Sequence, residues 1–152
     1  AAAPDGLQDV SIMMHQAGFM ADAVDKAAGK VSEPDPNGRR LIDDAAVAYR
    51  LGRSAARMEA AFSAPSIFGR VALAQTMRDI SPDLMDLLGT ASTLPNGTDG
   101  AADDGAAEYV YRFAPLVGIY GGTLEVFRNM IAQYVLGLGK PNYSAPKTAT
   151  PV

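Results

Sequence analysis

Ile119-Tyr120-Gly121-Gly122-Thr123-Leu124-Glu125-Val126-Phe127-Arg128-Asn129-Met130-Ile131-Ala132 opens on two adjacent glycines and runs directly into a helical pattern. Thr123 has the side chain of a good N-cap, because its oxygen can accept from an orphan amide of the first turn. Glu125 places a carboxylate in that turn, where the helix dipole favours negative charge. Phe127, Met130, Ile131, Tyr134, Val135 and Leu138 then recur at helical spacing and form an apolar stripe. Glycine has no Cβ, so another molecule can approach the backbone closely, and the amides just beyond are a potential anion site. The plainer reading is a capped helix after a glycine hinge, with no ligand.

Outward from this stretch the chain reads as four helical blocks and almost no strand. The first runs from about Asp5 to Lys30, with Leu7, Val10, Met14, Ala17, Ala21 and Val24 on one face, widened by Ile12, Met13, Phe19 and Met20. Gly29 and Ser32-Glu33-Pro34-Asp35-Pro36-Asn37-Gly38 stop it. The second runs from about Gly38 to Phe62. Leu41, Ala45, Ala48, Leu51, Ala55, Met58 and Phe62 mark its buried face, and Arg39, Arg40, Arg50, Arg53 and Arg57 mostly lie off it. The third starts near Ser63 or Ala64 and ends at Gly89, a natural residue for leaving a helix. Pro82 inside it is expected to kink or split the helix near Ser81. Thr90 to Gly105 reads as a polar loop long enough to be mobile. The fourth block begins near Ala106, is interrupted by Pro115 and Gly118, and ends near Gly137 or Gly139. Four amphipathic blocks predict an all-α, up-down four-helix bundle over residues 1–140, followed by a flexible, proline-containing tail over 141–152.

Composition narrows the function classes. The 152 residues are 48% hydrophobic, enough for one domain with a real core. A net charge of −4 with pI near 4.8, and no basic stripe, argues against nucleic acid. The chain has no cysteine, which excludes disulfides and thiolate metal sites. His15 is the only histidine, so the paired Glu-x-x-His set of a di-iron core cannot form and no metal is expected; a packed or surface imidazole is the better reading. The seven methionines lie at core spacing and read as packing. No apolar run is long enough to span a bilayer. Ala1-Ala2-Ala3-Pro4-Asp5 lacks the basic region of a secretory signal, so the expected location is cytoplasmic.

The Gly121–Gly122 segment resembles the last helix of the acyl-CoA dehydrogenase flavoproteins. In that family Tyr-(Glu or Gly)-Gly-Thr-x-Glu-(Ile or Val) leads into Arg-Asn-x-Ile-Ala. Here Tyr120-Gly121-Gly122-Thr123-Leu124-Glu125-Val126 is followed by Arg128-Asn129-Met130-Ile131-Ala132 and then Val135-Leu136-Gly137-Leu138. The match runs over about twenty positions in register; the rest of the chain agrees in layout with loose similarity. The resemblance implies the C-terminal four-helix bundle of a bacterial member. The helical N-terminal and β middle domains have no counterpart here, so the chain looks like a fragment or an isolated domain.

What the family does then becomes the expectation. Its members remove an α-proton from an acyl-CoA thioester while the β-hydrogen leaves as hydride to FAD. The resemblance assigns Gly121, Gly122, Thr123, Leu124 and Glu125 to the adenosine diphosphate half of FAD. The proton needs a carboxylate base. Many members place a glutamate where this chain has Gly121, and others supply it from the first long helix, where a loose alignment on Gly18-Phe19-Met20 puts Gln8 beside Asp9. Neither Gly121 nor Gln8 can abstract a proton, and Asp9 reads as a helix-start carboxylate. The catalytic residue is therefore unassigned, and the expected role is the subunit of a mixed dehydrogenase that lacks the base. Many relatives carry Arg-x-x-Phe-Gly between the first two helices, reaching a neighbouring subunit's flavin; Lys30-Val31-Ser32-Glu33-Pro34-Asp35-Pro36 stands here instead. Expected partners are an acyl-CoA substrate in the full-length protein and a homo- or hetero-oligomer with related subunits. The acyl chain is open between fatty, branched and sterol side-chain thioesters. The rival reading is a non-catalytic helical interaction domain that has lost flavin binding.

Overall fold

A computed structural model describes residues 11–140. It contains α1 (Ser11–Ser32), α2 (Ala45–Ser63), α3 (Ser66–Leu88), α4 (Ala106–Val117) and α5 (Leu124–Met130), with a π-helical turn over Ile131–Val135. Consecutive helices pack on one another, and α4 returns to α1, so the first four close into an up-down bundle. Helices α1 and α3 form its central pair, and α5 is an appendage held by α3.

The antiparallel sense of α2 and α3 is written in their ion pairs. Arg50 meets Asp83 and Asp86, Arg53 meets Asp83, and Arg57 meets Asp79. Residue numbers rise along one helix as they fall along the other. Between α1 and α4 the link is aromatic: Phe19 meets Tyr109 edge-on at 4.9 Å, and Tyr109 stacks on Phe113 at 5.5 Å.

The core is built from small residues and a few large ones. Met20, Ala23, Val24, Ala27 and Val31 of α1 face Leu73, Met77, Ile80, Leu84 and Leu87 of α3. Leu51, Met58 and Ala61 enter from α2, and Val110, Ala114 and Val117 from α4. The buried stripe of α1 thus differs from the sequence expectation. It includes Gln16, while Ala21 is only partly buried. Leu7 and Val10 lie outside the described residues.

Three boundaries differ from expectation, each for a local reason. Helix α2 begins at Ala45 because Asp44 caps it, accepting from the Ala46 amide at 2.7 Å and the Val47 amide at 3.3 Å. The preceding Leu41–Asp43 segment is a 3-10 turn tied by Arg40 Nη2 to Asp43 Oδ1 at 2.6 Å, and Leu41 is 56% exposed rather than on a buried face. Helix α3 runs through Pro82 without splitting. Buried Ile80, Ser81 and Leu84 on both sides of the proline hold it against the core, so packing outweighs one missing backbone bond. The final α-helix stops at Met130. The Leu136 amide then reaches back five residues to the Ile131 carbonyl at 2.9 Å, converting the remainder to a π turn.

The loop from Thr90 to Gly105 is knotted to itself rather than open. Ser92 Oγ donates to the Met85 or Gly89 carbonyl, and Asn96 Nδ2 donates to the Asp104 carbonyl at 2.8 Å. Asp103 Oδ2 accepts from the Ala107 amide at 2.7 Å and so caps α4. At Gly105, φ is +75°, and a Cβ would sit 2.2 Å from the Asn96 nitrogen, so only glycine fits there. Among the described residues no helix is long and apolar enough to cross a membrane.

Candidate functional site: the glycine turn beside Arg70

Helix α4 runs through Pro115 and gives out at Gly118, and the chain reverses over six residues before α5. The Ile119 and Tyr120 amides close on the Leu116 carbonyl at 3.0 and 3.1 Å, and the Gly122 amide closes on Ile119 at 3.3 Å. Gly121 and Gly122 follow with φ of +70° and +127°. A side chain at Gly121 would meet nothing within 4 Å but would be strained by its backbone; one at Gly122 would press on the Phe127 ring at 3.3 Å. The turn is therefore a bare stretch of backbone, exposed at Gly121.

The residues assigned to a cofactor from sequence are brought together here but are not equivalent. Thr123 caps α5, its Oγ1 accepting from the Val126 amide at 3.4 Å. Glu125 is exposed in the first turn. Its own backbone amide, the Thr123 hydroxyl, and the Arg128 and Arg78 charges hold its carboxyl below the usual glutamate value. Leu124 points the other way: it is 2% exposed, belongs to the core, and its amide donates to the Gly118 carbonyl at 3.2 Å. The groups open to a ligand are Gly121, Gly122, Thr123 and Glu125.

Below the turn lies a residue the sequence reading passed over. Arg70 of α3 is 8% exposed. Its Nη2 donates to the Tyr120 carbonyl at 2.8 Å, and its guanidinium carbon lies 5.3 Å from the centre of the Tyr120 ring and 5.1 Å from that of Phe127. Nη1 is buried and has no hydrogen-bond partner among the described residues. Burial pulls the guanidinium down from its ordinary value and pushes the Tyr120 hydroxyl up. The signal was present in sequence: Ile67, Arg70, Ala74 and Met77 share one helical face, and three of the four are core residues.

Farther along α5 a polar chain crosses three helices. Arg128 meets Glu125 at 3.5 Å and donates to Gln75 Oε1 at 3.2 Å; Gln75 Nε2 donates to Asp79 Oδ1 at 2.9 Å; Asp79 also holds Arg57. His15 is exposed, edge-on to Phe19 at 4.6 Å. Gln8 and Asp9 lie outside the described residues.

Residues 66–136 match the family model described as "Acyl-CoA dehydrogenase, C-terminal domain". That range covers α3, α4, the glycine turn, α5 and the π turn. The chain is 31% identical over 131 residues to the acyl-CoA dehydrogenase FadE26 of Mycobacterium tuberculosis, a match spanning 71% of this chain and 32% of that protein. In structure it is similar to the crystal structure of the ChsE4-ChsE5 complex of Mycobacterium tuberculosis, with a TM-score of 0.72 and 27% identity over 83% of this chain and 36% of the matched one. The chain spans about a third of the length of these relatives. Residues 66–136, from α3 through the Tyr120–Val126 turn to the π turn, therefore belong to the acyl-CoA dehydrogenase C-terminal domain family, and a curated acyl-CoA dehydrogenase is similar to the chain beyond them.

Proposed function

We propose that this chain is the C-terminal domain of an FAD-dependent dehydrogenase that introduces a double bond α,β to the thioester of an acyl-CoA. The observation that carries the reading is the open glycine turn, with the half-buried Thr123 and the exposed Glu125 carboxylate beside it and a buried guanidinium beneath it. These residues fit a dinucleotide. Bare backbone at Gly121 admits close approach, an exposed carboxylate suits ribose hydroxyls, and Arg70 carries a buried N–H with no partner. In the full-length protein Gly121, Gly122, Thr123 and Glu125 hold part of the adenosine diphosphate half of FAD, while Leu124 anchors the turn to the core. FAD, when bound, supplies the hydride acceptor.

The chain's own part in proton chemistry is negative. Gly121 occupies a position where many relatives place a glutamate base, and its left-handed backbone disfavours any side chain. The reading that follows is the subunit without the base, paired with a related subunit that has one. The chain that this one is similar to in structure comes from a complex of two named components, ChsE4 and ChsE5. Exposed apolar residues on and after α5, including Val126, Val135, Leu136 and Leu138, supply surface for such a partner. On this reading the whole protein works in the cytoplasm, and this domain alone does not oxidise substrate.

The test is expression of the full-length protein alone, reconstitution with FAD, and addition of a panel of acyl-CoA thioesters. The expected result is a bound flavin whose absorbance does not bleach rapidly until a partner subunit is added. Removing a general base slows such steps by about two to four orders of magnitude, so the difference is easy to read. No flavin binding at saturating FAD would favour the non-catalytic interaction domain. Rapid bleaching without a partner would place the base in this subunit, and its loss in Asp9→Asn would identify it.

A further inference from the structure

Arg70 stands where stability alone would place an apolar residue. Its neighbours on the same face of α3, Ile67 and Ala74, are core residues, and one of its terminal nitrogens is buried without a partner among the described residues. Burying a guanidinium in that state is costly, and apolar replacements of buried charged groups are often neutral or stabilising. What the arginine provides instead is local. Among the described residues its hydrogen bond goes to the Tyr120 carbonyl, the last before the two glycines. Its guanidinium also lies over two rings from opposite flanks of the turn, Tyr120 before the glycines and Phe127 after the cap. Phe127 in turn sits where a Gly122 side chain would be. One planar cation thus joins the entry and the exit of a segment that has no side chains of its own to hold it.

We propose that Arg70 is the positioning residue of the Tyr120–Thr123 turn: it fixes the shape of the glycine backbone on which the ligand rests. The consequence for FAD rests on the reading given above; the fixing of the turn does not. Glycine backbones with positive φ have the widest conformational choice, so a turn built from two of them needs an external restraint to be preorganised for a ligand. Lysine in place of Arg70 keeps a donor for the Tyr120 carbonyl but not the planar group that spans both rings.

The experiment uses the full-length protein with Arg70→Met, Arg70→Lys and, as a reference for the cofactor, Thr123→Ala. Amide hydrogen exchange, thermal unfolding and FAD titration are measured on each. Arg70→Met is expected to leave the melting temperature unchanged or raised. Exchange at Tyr120–Leu124 should speed up about tenfold, exchange along α3 should not change, and FAD should bind about tenfold more weakly. Arg70→Lys should recover part of both effects. Parental exchange at the turn in Arg70→Met overturns the proposal, as does acceleration of the turn and α3 together, which marks general destabilisation. Faster turn exchange with unchanged FAD affinity, while Thr123→Ala weakens FAD, overturns the link from Arg70 to the ligand. If no variant alters FAD affinity, the flavin reading falls, and the exchange result alone decides whether Arg70 fixes the turn. Should Arg70→Met not fold, Arg70→Lys carries the same comparison.

Discussion

Along the α2–α3 seam three arginines meet three aspartates at partly exposed positions, whereas at the α3–α5 seam one arginine meets a carbonyl and two rings with almost no solvent. In the first region the pairs are redundant. Asp83 serves two arginines, and Arg50 serves two aspartates, so Arg50 keeps Asp86 when Asp83 is lost. Water screens what remains, and each pair contributes little. In the second region Arg70 has no second acceptor among the described residues. Its guanidinium sits in a poorly solvated site with one hydrogen bond there, to the Tyr120 carbonyl. The same residue type therefore acts as distributed glue between two long helices and as a buried restraint on a short turn.

The largest expected effect removes the ground common to both seams. Leu84 of α3 is fully buried, and Leu84→Ala should cost about 3 kcal/mol of folding stability through lost burial and a residual cavity. Urea unfolding of the full-length protein measures it. Because both seams hang on α3, exchange should accelerate on both; protection kept at either seam would mean that it is stable independently of the core.

A smaller effect is expected from Asp83→Asn, at about 1 kcal/mol, reduced by added salt. This variant also sharpens the comparison through pH. Burial alone would raise the Asp83 carboxyl, but hydrogen bonds from Arg50 and Arg53 outweigh it and hold the group below the usual aspartate value. A carboxyl lowered in the folded state contributes stability above its unfolded value, about 3.9, and loses it as pH falls through the lower folded value. Parent and Asp83→Asn should therefore differ in urea midpoint at pH 7, and the gap should close only as pH falls below the usual aspartate value and through the lower folded one. Midpoints that stay equally far apart in acid would show that the gap is not ionic. The smallest effect on stability belongs to the Glu108–Arg112 pair one turn apart on α4, where Arg112→Ala should leave the urea midpoint nearly unchanged. A midpoint shift as large as that of Asp83→Asn would contradict the view that partly exposed pairs are individually weak.

Much of this was legible in the chain and some was not, and the division is physical. The helices of the bundle follow from apolar periodicity, and the glycine turn with its Thr123 cap follows from Gly121-Gly122-Thr123. The α1 face was misread because Gln16 is polar yet buried, and a pattern of apolar letters does not count it. Helix continuity through Pro82 escaped for a related reason: the cost of proline is local, while the packing of Ile80 and Leu84 that overcomes it is tertiary. The turn at Ile131–Val135 carries no sequence signature that separates a π from an α hydrogen bond. At the site, Leu124 read as a lining residue from its place in the motif, and only its burial shows it facing the core. Arg70 lies fifty positions before its hydrogen-bond partner Tyr120, a pairing that no local pattern announces.

The central claim is that the exposed groups of this turn hold FAD in the full-length protein. The direct measurement is the FAD dissociation constant, by flavin fluorescence titration, of the parent, Thr123→Ala and Glu125→Ala, with far-ultraviolet circular dichroism to verify the fold. Losing one hydrogen bond to the cofactor should cost about 1 kcal/mol, which weakens binding about fivefold in each variant at unchanged helicity. Parental affinity in both variants would contradict the account and remove the turn from the cofactor site.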